Sequence, residues 1–315
     1  MRKVLVVQTL AEAVAQSNKR TETVACVTPA REEVSAKVAI VMPVCNEASS
    51  IESTITEIKE KVMRFLPNSS LLIFEDGSTD NTNLVLSDLS RKYAWLRLST
   101  SPGRSSRKGY SKAVRDALTS VNETEYDFVL FMDSDGQYDP CDFFKLWKVM
   151  ADRSSNTPKS SLSALRRSIV MGRRVNRTEP PYRIILSTGL MIIERVLFGP
   201  GCQDITSAFR LMHTSAAKSL ASRVRFSGQN FWLEFTARAS EEGYEFCEVP
   251  ITYRRRAFTA VESKSVDNRM GSSCSKGSNI YDFKKMPKIV GNELAAVART
   301  WLEYKGRKKK ATRWY

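Results

Sequence analysis

The chain holds a single histidine, His213, among 315 residues. Proton transfer at neutral pH, where needed, must therefore come from carboxylates. The six cysteines, Cys26, Cys45, Cys141, Cys202, Cys247 and Cys274, are scattered and form no C-x-x-C pair. That spacing supplies no zinc site and no disulfide framework; it reads as reduced thiols in a cytoplasmic protein. No apolar run approaches the roughly 20 residues that cross a bilayer. The opening Met1-Arg2-Lys3 and residues 4–15 imitate a secretion leader, but Gln8, Thr9 and Glu12 interrupt the apolar stretch. The N-x-S/T sequons at Asn68, Asn122 and Asn176 are then coincidental. No glycine-rich phosphate loop follows the first strand pattern, which argues against a nucleotidyltransferase of that type. Internal repeats and nucleic-acid recognition motifs are also missing.

What is present begins with charge. The chain carries 49 basic and 34 acidic residues, a formal net charge of +15, and is 42% hydrophobic. An anionic partner is implied: a phosphorylated ligand, an acidic membrane surface or nucleic acid. Residues 1–36 lack a clean period and read as a partly disordered extension. From Lys37 onward, strand and helix patterns alternate. Strands are expected at 38–44, 71–74, 95–98 and 128–132, and helices at 47–65, 81–92 and 108–121. In the first helix Ile51, Ile55, Ile58 and Val62 share one face. Alternation of this kind predicts an α/β fold with a mostly parallel sheet and a ligand beyond the strands' carboxyl ends. Further on, the patterns predict a short strand at 169–171 closed by Gly172-Arg173-Arg174, a helix at 182–197, a strand at 208–212, a helix at 231–241 and a strand at 246–253. Residues 259–285 are rich in Ser, Lys and Gly and read as a flexible loop. A final helix at 286–304 places Met286, Val290, Leu294, Val297 and Trp301 along one side, ahead of a basic tail ending at Tyr315.

Three loops carry the chemistry. The apolar run 128–132 leads into Asp133-Ser134-Asp135-Gly136-Gln137, where two carboxylates stand two residues apart at a strand end and so point the same way. Adjacent carboxylates repel, and a hard divalent ion such as Mg²⁺ or Mn²⁺ relieves that repulsion, with Gln137 as a neutral oxygen donor. The bland alternative for an isolated Asp-x-Asp is a solvated acidic turn. The loops Pro43-Val44-Cys45-Asn46-Glu47 and Glu75-Asp76-Gly77-Ser78-Thr79-Asp80 leave neighbouring strands on the same side. Together the three suit a nucleotide: carboxylates accept from ribose and base while a metal bridges phosphates. Alone, Asn46 and Asp80 are also good helix caps. A basic group, Arg173, Arg174, Arg183, Arg210, Arg254, Arg255, Arg256 and Lys264, follows in the second half, and arginine is the planar, permanently charged choice for clamping phosphate.

The ordered segments V-A-I-V-M-P-V-C-N-E, L-I-F-E-D-G-S-T-D-N-T, M-D-S-D-G-Q, Q-D-I-T-S-A-F-R and E-V-P-I-T-Y…E-S-K, from Val38 to Lys264, resemble the family-two glycosyltransferases, most of all the dolichyl and polyprenyl phosphate mannosyl- and glucosyltransferases. The resemblance implies a GT-A fold over residues 37–258, a Rossmann-like sheet with a metal-binding Asp-x-Asp. It places Pro43, Cys45, Asn46, Glu47, Glu75, Asp76, Lys108, Gly109, Ser134 and Arg210 with the nucleotide-sugar, and Asp133, Asp135 and Gln137 with the metal. It places Arg174, Arg183, Asp204 and Lys264 at the acceptor and reacting centre. Cys45 stands where the family usually has tyrosine, and Ala208 where it has glycine.

The implied reaction moves a hexose, mannose from GDP-mannose above all, to a polyprenyl or dolichyl phosphate with inversion. A phosphomonoester, with its second pKa near roughly 6, is already ionised and needs no general base. A rival uses a hydroxyl acceptor with Asp204 as base. A basic nucleic-acid-binding protein is the remote alternative, since its ligand would be repelled by the three acidic loops; no nucleic-acid partner is expected. The last helix and the tail, with six basic residues between Lys305 and Arg313, predict peripheral binding to the cytosolic face of a membrane. A membrane-anchoring subunit is the other way to reach a lipid acceptor.

Overall fold

A computed structural model describes residues 34–99, 108–156, 166–175, 181–199, 201–225, 231–254 and 286–311. Seven strands form one sheet: β1 (Val38–Val44), β2 (Ser70–Glu75), β3 (Leu96–Ser99), β4 (Phe128–Phe131), β5 (Ser168–Val175), β6 (Arg210–His213) and β7 (Glu245–Thr252). The helices are α1 (Ile51–Lys61), α2 (Thr82–Lys92), α3 (Tyr110–Ser120), α4 (Phe143–Asn156), α5 (Pro181–Phe198), α6 (Thr214–Arg223), α7 (Phe231–Glu241) and α8 (Met286–Ala311). The strand order is β3-β2-β1-β4-β6-β5-β7. Every pairing is parallel except those of β6, which runs against both β4 and β5.

β1 is buried at all seven positions, as its unbroken apolar sequence requires of a central parallel strand. Ile51, Ile55 and Ile58 on α1 are fully buried in the same hydrophobic core. Each contributes roughly 1.5–3 kcal/mol by area burial. The helical period expected over 47–65 is interrupted at Val62, and Met63–Phe65 tightens into a 3₁₀ turn. At the other end of the sheet, β7 carries Pro250 in mid-strand. An edge position tolerates it because one side of the strand has no ladder to complete.

Several expectations need correcting. β5 does not stop at Gly172; it continues to Val175 and pairs with β7 throughout. Glycine is there because Ile251 crosses it, and an added Cβ would lie 2.4 Å from Ile251 Cδ1. Residues 34–36, assigned to the extension, belong to the body: Val34 is buried and its amide donates to the Phe65 carbonyl. α4 and α6 are additional helices. α8 runs past residue 304 into the basic tail. Among its described side chains Glu293, Val297 and Thr300 are buried, whereas Leu294 of the expected stripe is exposed. Among the described residues Cys45, Cys202 and Cys247 are free thiols, but Cys141 is disulfide-bonded, which linear spacing did not reveal. Residues 1–33 and the loop expected at 259–285 lie outside the described residues.

The topology gathers function at one edge. The chain steps outward from β1 to β2 and β3, then returns to place β4 on the other side of β1. This reversal opens a crevice beyond the carboxyl ends of β1 and β4. Because β6 is antiparallel, the turn before it meets the same edge; Phe131 pairs with Arg210, and Met171 also pairs with Arg210. The ends of β5 and β7 arrive there too.

Candidate active site

The first two loops are tied to each other. Val44 pairs with Glu75, and the Asp76 amide donates to the Val44 carbonyl. Asn46 adopts a left-handed conformation, φ 56°, which asparagine tolerates better than most residues. Its amide donates to Ser78 Oγ at 3.0 Å, and its Oδ1 accepts from the Thr79 amide at 2.8 Å. Asp80 accepts from the Ala48 and Thr82 amides. Asn46 and Asp80 are thus fasteners between loops. Glu75 accepts from the Ser78 amide. Glu47 is buried; its amide donates to Thr82 Oγ1 at 2.9 Å, and its Oε2 accepts from Ser50 Oγ at 2.6 Å. Pro43 is buried beneath it, and the Cys45 thiol is half-buried at the rim.

Asp76 meets the segment before α3. Its Oδ1 accepts from the Lys108 amide at 2.8 Å and its Oδ2 from the Gly109 amide at 3.1 Å. Gly109 has φ +90°, a conformation strained for any residue with a Cβ. The Lys108 ammonium turns away to Asp116 at 2.6 Å. Asp76, Lys108 and Gly109, chosen separately from the sequence, are therefore one hydrogen-bonded unit.

The acidic turn follows β4. Asp133 Oδ1 accepts from the Tyr110 hydroxyl at 2.8 Å, and Asp135 Oδ1 accepts from the Gln137 amide at 3.1 Å. Both aspartates are half-buried, and Ser134 between them is buried. The Gln137 side chain donates to the Arg254 carbonyl at 3.1 Å, while its own carbonyl accepts from the Arg254 amide at 2.8 Å. Gln137 is thereby a clasp on the end of β7, and only its Oε1 is left for a cation. Arg254 also bonds Glu57 on α1 at 2.9 Å and Asp139 at 2.5 Å; Lys61 joins the same pair. Glu57 and Asp139 are desolvated, but these cations, preceded for Asp139 by the hydrogen bond from the Cys141 amide, more than compensate and hold both carboxyls below their usual range.

The turn before β6 is the other wall. Asp204 accepts from the Arg174 amide at 3.0 Å and Nε at 2.8 Å through Oδ2, and from Nη2 at 2.7 Å through Oδ1. Arg174 Nη2 also reaches Thr206 Oγ1, and the guanidinium lies 5.2 Å from the Tyr253 ring centre. Burial disfavours the Arg174 charge, yet Asp204 outweighs it and the guanidinium ends well above its ordinary value. The Asp204 amide donates to Glu248 Oε1 at 2.6 Å, and the Ala208 amide to the Tyr138 hydroxyl at 3.1 Å.

Arg210 does not face the crevice, contrary to its expected place at the donor. It is fully buried and bonds inward, to the Ser207 and Ile205 carbonyls at 2.8 and 2.7 Å and to Thr236 Oγ1 at 2.9 Å. Its guanidinium stacks on Trp232 at 4.6 Å. Burial lowers it to about 10, so it stays charged at neutral pH. Arg210 holds the shape of the turn. Glu194 on α5 is also fully buried and, desolvated, is held well above the usual carboxylate range. Arg183 lies in the first turn of α5 with its side chain outside the description, and Lys264 lies outside the described residues.

The donor chemistry fits a hard divalent ion. Asp133 and Asp135 are oxygen donors on one turn, and among the described residues no group of three His, Cys, Asp or Glu is placed to hold a metal. Two carboxylates completed by substrate phosphate oxygens is the usual manner of binding Mg²⁺, and is open to Mn²⁺. Sequence reasoning missed Tyr110, Trp232, Tyr138, Glu248 and the Arg254 clasp. Their signals lie in tertiary contacts, although the pairing of Tyr110 with its preceding glycine was visible.

The fold is GT-A: a mostly parallel sheet with flanking helices and the acidic turn at its central edge. The glycosyl transferase family 2 model matches residues 39–220, and the chain belongs to that family. It is 26% identical over 260 residues to polyprenol monophosphomannose synthase of Mycolicibacterium smegmatis, a match covering 81% of this chain and 86% of that one. It is 24% identical over 226 residues to undecaprenyl-phosphate mannosyltransferase of Micrococcus luteus, covering 70% and 84% respectively. Among solved structures, glucosyl-3-phosphoglycerate synthase of Mycobacterium tuberculosis, in complex with Mn²⁺, UDP-glucose and phosphoglyceric acid, superposes with a TM-score of 0.53 at 16% identity, covering 85% of this chain and 80% of that one. The same enzyme in complex with UDP gives 0.52. The chain is therefore a glycosyltransferase.

Proposed function

We propose that this glycosyltransferase moves mannose from GDP-mannose to a polyprenyl or dolichyl phosphate, with a divalent metal at Asp133 and Asp135 and inversion at the sugar. The observation that carries the choice of acceptor is the state of Asp204. Its carboxylate accepts three hydrogen bonds from Arg174 and cannot take a proton without breaking a buried ion pair. A hydroxyl acceptor would require a base at that place. A phosphomonoester supplies its own anionic oxygen. The two mannosyltransferase relatives carry polyprenol and undecaprenyl phosphate in their names, which supports the same acceptor class.

In this reading the β1 and β2 loops hold the nucleoside, with Glu47 and Asp76 kept in place by the bonds described above. Asp133 and Asp135 would hold the ion and Gln137 would fix the turn. When bound, the divalent ion would offset charge on the departing nucleoside diphosphate. Arg174 has Nε and Nη2 committed to Asp204 and Thr206, so it orders the acceptor wall and meets phosphate only through Nη1. Arg183 and Lys264 are assigned the remaining phosphate contacts on the family resemblance alone. The test is a donor screen with Mn²⁺ or Mg²⁺ and a short polyprenyl phosphate. GDP-mannose is expected to exceed UDP-glucose and UDP-N-acetylglucosamine by at least about tenfold in kcat/KM. A preference for either UDP-sugar would overturn the donor assignment.

A lipid acceptor requires access to a membrane, and no described helix is long and apolar enough to cross one. Peripheral binding to an anionic, cytosolic-face surface is supported by +15 net charge and by apolar side chains exposed on two helices in contact: Ile185 and Val196 on α5, Leu294 and Leu302 on α8. Each basic residue near such a surface adds about 1 kcal/mol. Co-sedimentation with phosphatidylserine vesicles is expected at low salt and to weaken at high salt or without residues 305–315. Protein left in the supernatant at low salt would point instead to a membrane-anchoring subunit.

A further inference from the structure

The first aspartate of the acidic turn is fastened from below by a relay of three side chains. Trp232 Nε1, on α7, lies 3.1 Å from the Tyr110 hydroxyl, and that hydroxyl lies 2.8 Å from Asp133 Oδ1. Chemistry fixes the direction of both bonds. An indole N–H only donates, and an ionised carboxylate only accepts. The Tyr110 hydroxyl must therefore accept from Trp232 and turn its single proton to Asp133. Trp232 is itself immobilised, 3% exposed, with the Phe131 ring 4.7 Å away on one side and the Arg210 guanidinium at 4.6 Å. Arg210 in turn grips the Ile205 and Ser207 carbonyls of the acceptor-side turn.

We infer that Tyr110 is a positioning residue for the metal: held by Trp232, it sets the orientation of the Asp133 carboxylate so that its coordinating lone pairs face the crevice before the ion arrives. The inference rests on the reading of Asp133 as a metal ligand. A carboxylate at a strand end has two rotatable bonds, and a single donor to one of its oxygens removes most of that freedom. Partners that orient a ligating side chain in this way usually change metal affinity 10- to 100-fold when removed. Tyr110 opens α3 directly after Gly109, whose amide with that of Lys108 holds Asp76. One helix start thus serves both the nucleoside side and the metal side of the crevice.

The experiment follows free Mn²⁺ by electron paramagnetic resonance during titration of the full chain with GDP present, alongside calorimetry of GDP without metal. Tyr110→Phe removes one oxygen and keeps the ring. It is expected to weaken Mn²⁺ binding 10- to 100-fold while metal-free GDP affinity stays within twofold, and to raise the Mn²⁺ concentration for half-maximal transfer with little loss of kcat at saturating Mn²⁺. Trp232→Phe is expected to weaken Mn²⁺ less, and to add nothing in the Tyr110→Phe background, because it acts through that hydroxyl. Tyr110→Phe that folds as the wild type and binds Mn²⁺ within twofold of it would overturn the inference. A wild-type chain that binds GDP but no Mn²⁺ would instead overturn the metal reading on which it rests.

Discussion

Asp133→Asn and Asp135→Asn are each expected to lower glycosyl transfer by at least about 10²–10³-fold, the loss typical of removing one preorganised electrostatic contact to a developing charge. The substitution keeps volume and one oxygen, so packing is preserved. Stability should hold or rise slightly, because two neighbouring carboxylates no longer repel. The effect belongs to the ion: excess chelator should reproduce it in the wild type, and added Mn²⁺ should restore the wild type but only partly restore either variant. Full activity in excess chelator would sink the assignment. Normal transfer by both variants would return the turn to the status of a solvated acidic loop.

The second large effect concerns Asp204, and it is expected in stability. The Arg174 side chain is only 8% exposed and meets Asp204 with two guanidinium nitrogens. Removing one partner of a buried pair typically costs about 3–5 kcal/mol because the other charge is left uncompensated. Asparagine retains one acceptor, so Asp204→Asn should fall at the low end, about 3 kcal/mol. At 2–4 °C per kcal/mol for a domain of this size, the melting temperature should drop by roughly 6–12 °C. Below that temperature kcat should fall no more than about tenfold. A general base would behave otherwise: the rate would collapse by roughly 10²–10⁴ with both substrates still bound and the melting point little changed. That pattern would favour the hydroxyl acceptor.

Legibility from sequence followed the range of the interaction. β1 and the buried face of α1 were readable because burial writes an unbroken apolar run or a period of 3.6 residues into the chain. The convergence of the three loops was readable because parallel strands put their carboxyl ends on one side. α6 was missed because its buried face is mostly alanine, Ala216, Ala217 and Ala221 with Leu220, which gives little contrast with its surroundings. The end of β5 was misplaced because Gly172 resembles a terminator, and its reason, the passage of Ile251, is 79 residues away. Arg210 was taken for a ligand contact because sequence cannot separate an arginine that clamps phosphate from one that satisfies buried carbonyls. Within the site, Asp76 and Asp133 were singled out by type and spacing. The Tyr110 hydroxyl and the Gln137–Arg254 clasp depend on which elements meet, and no local pattern encodes that.

The pairing of β5 with β7 separates two units that are easily confused. The stretch matched by the family model ends at residue 220, inside α6 and before α7 and β7. Yet β5 pairs with β7 at all eight of its residues, and Arg210 donates one of its bonds to Thr236 Oγ1 on α7. A hybrid enzyme joined at residue 220 would keep the acidic turn but pair β5 with a foreign β7, so the contact of Ile251 with Gly172 would be lost. It would also leave a buried guanidinium facing a foreign helix. Between relatives, the stretch from Val34 through Arg254 should therefore be inherited together as one block.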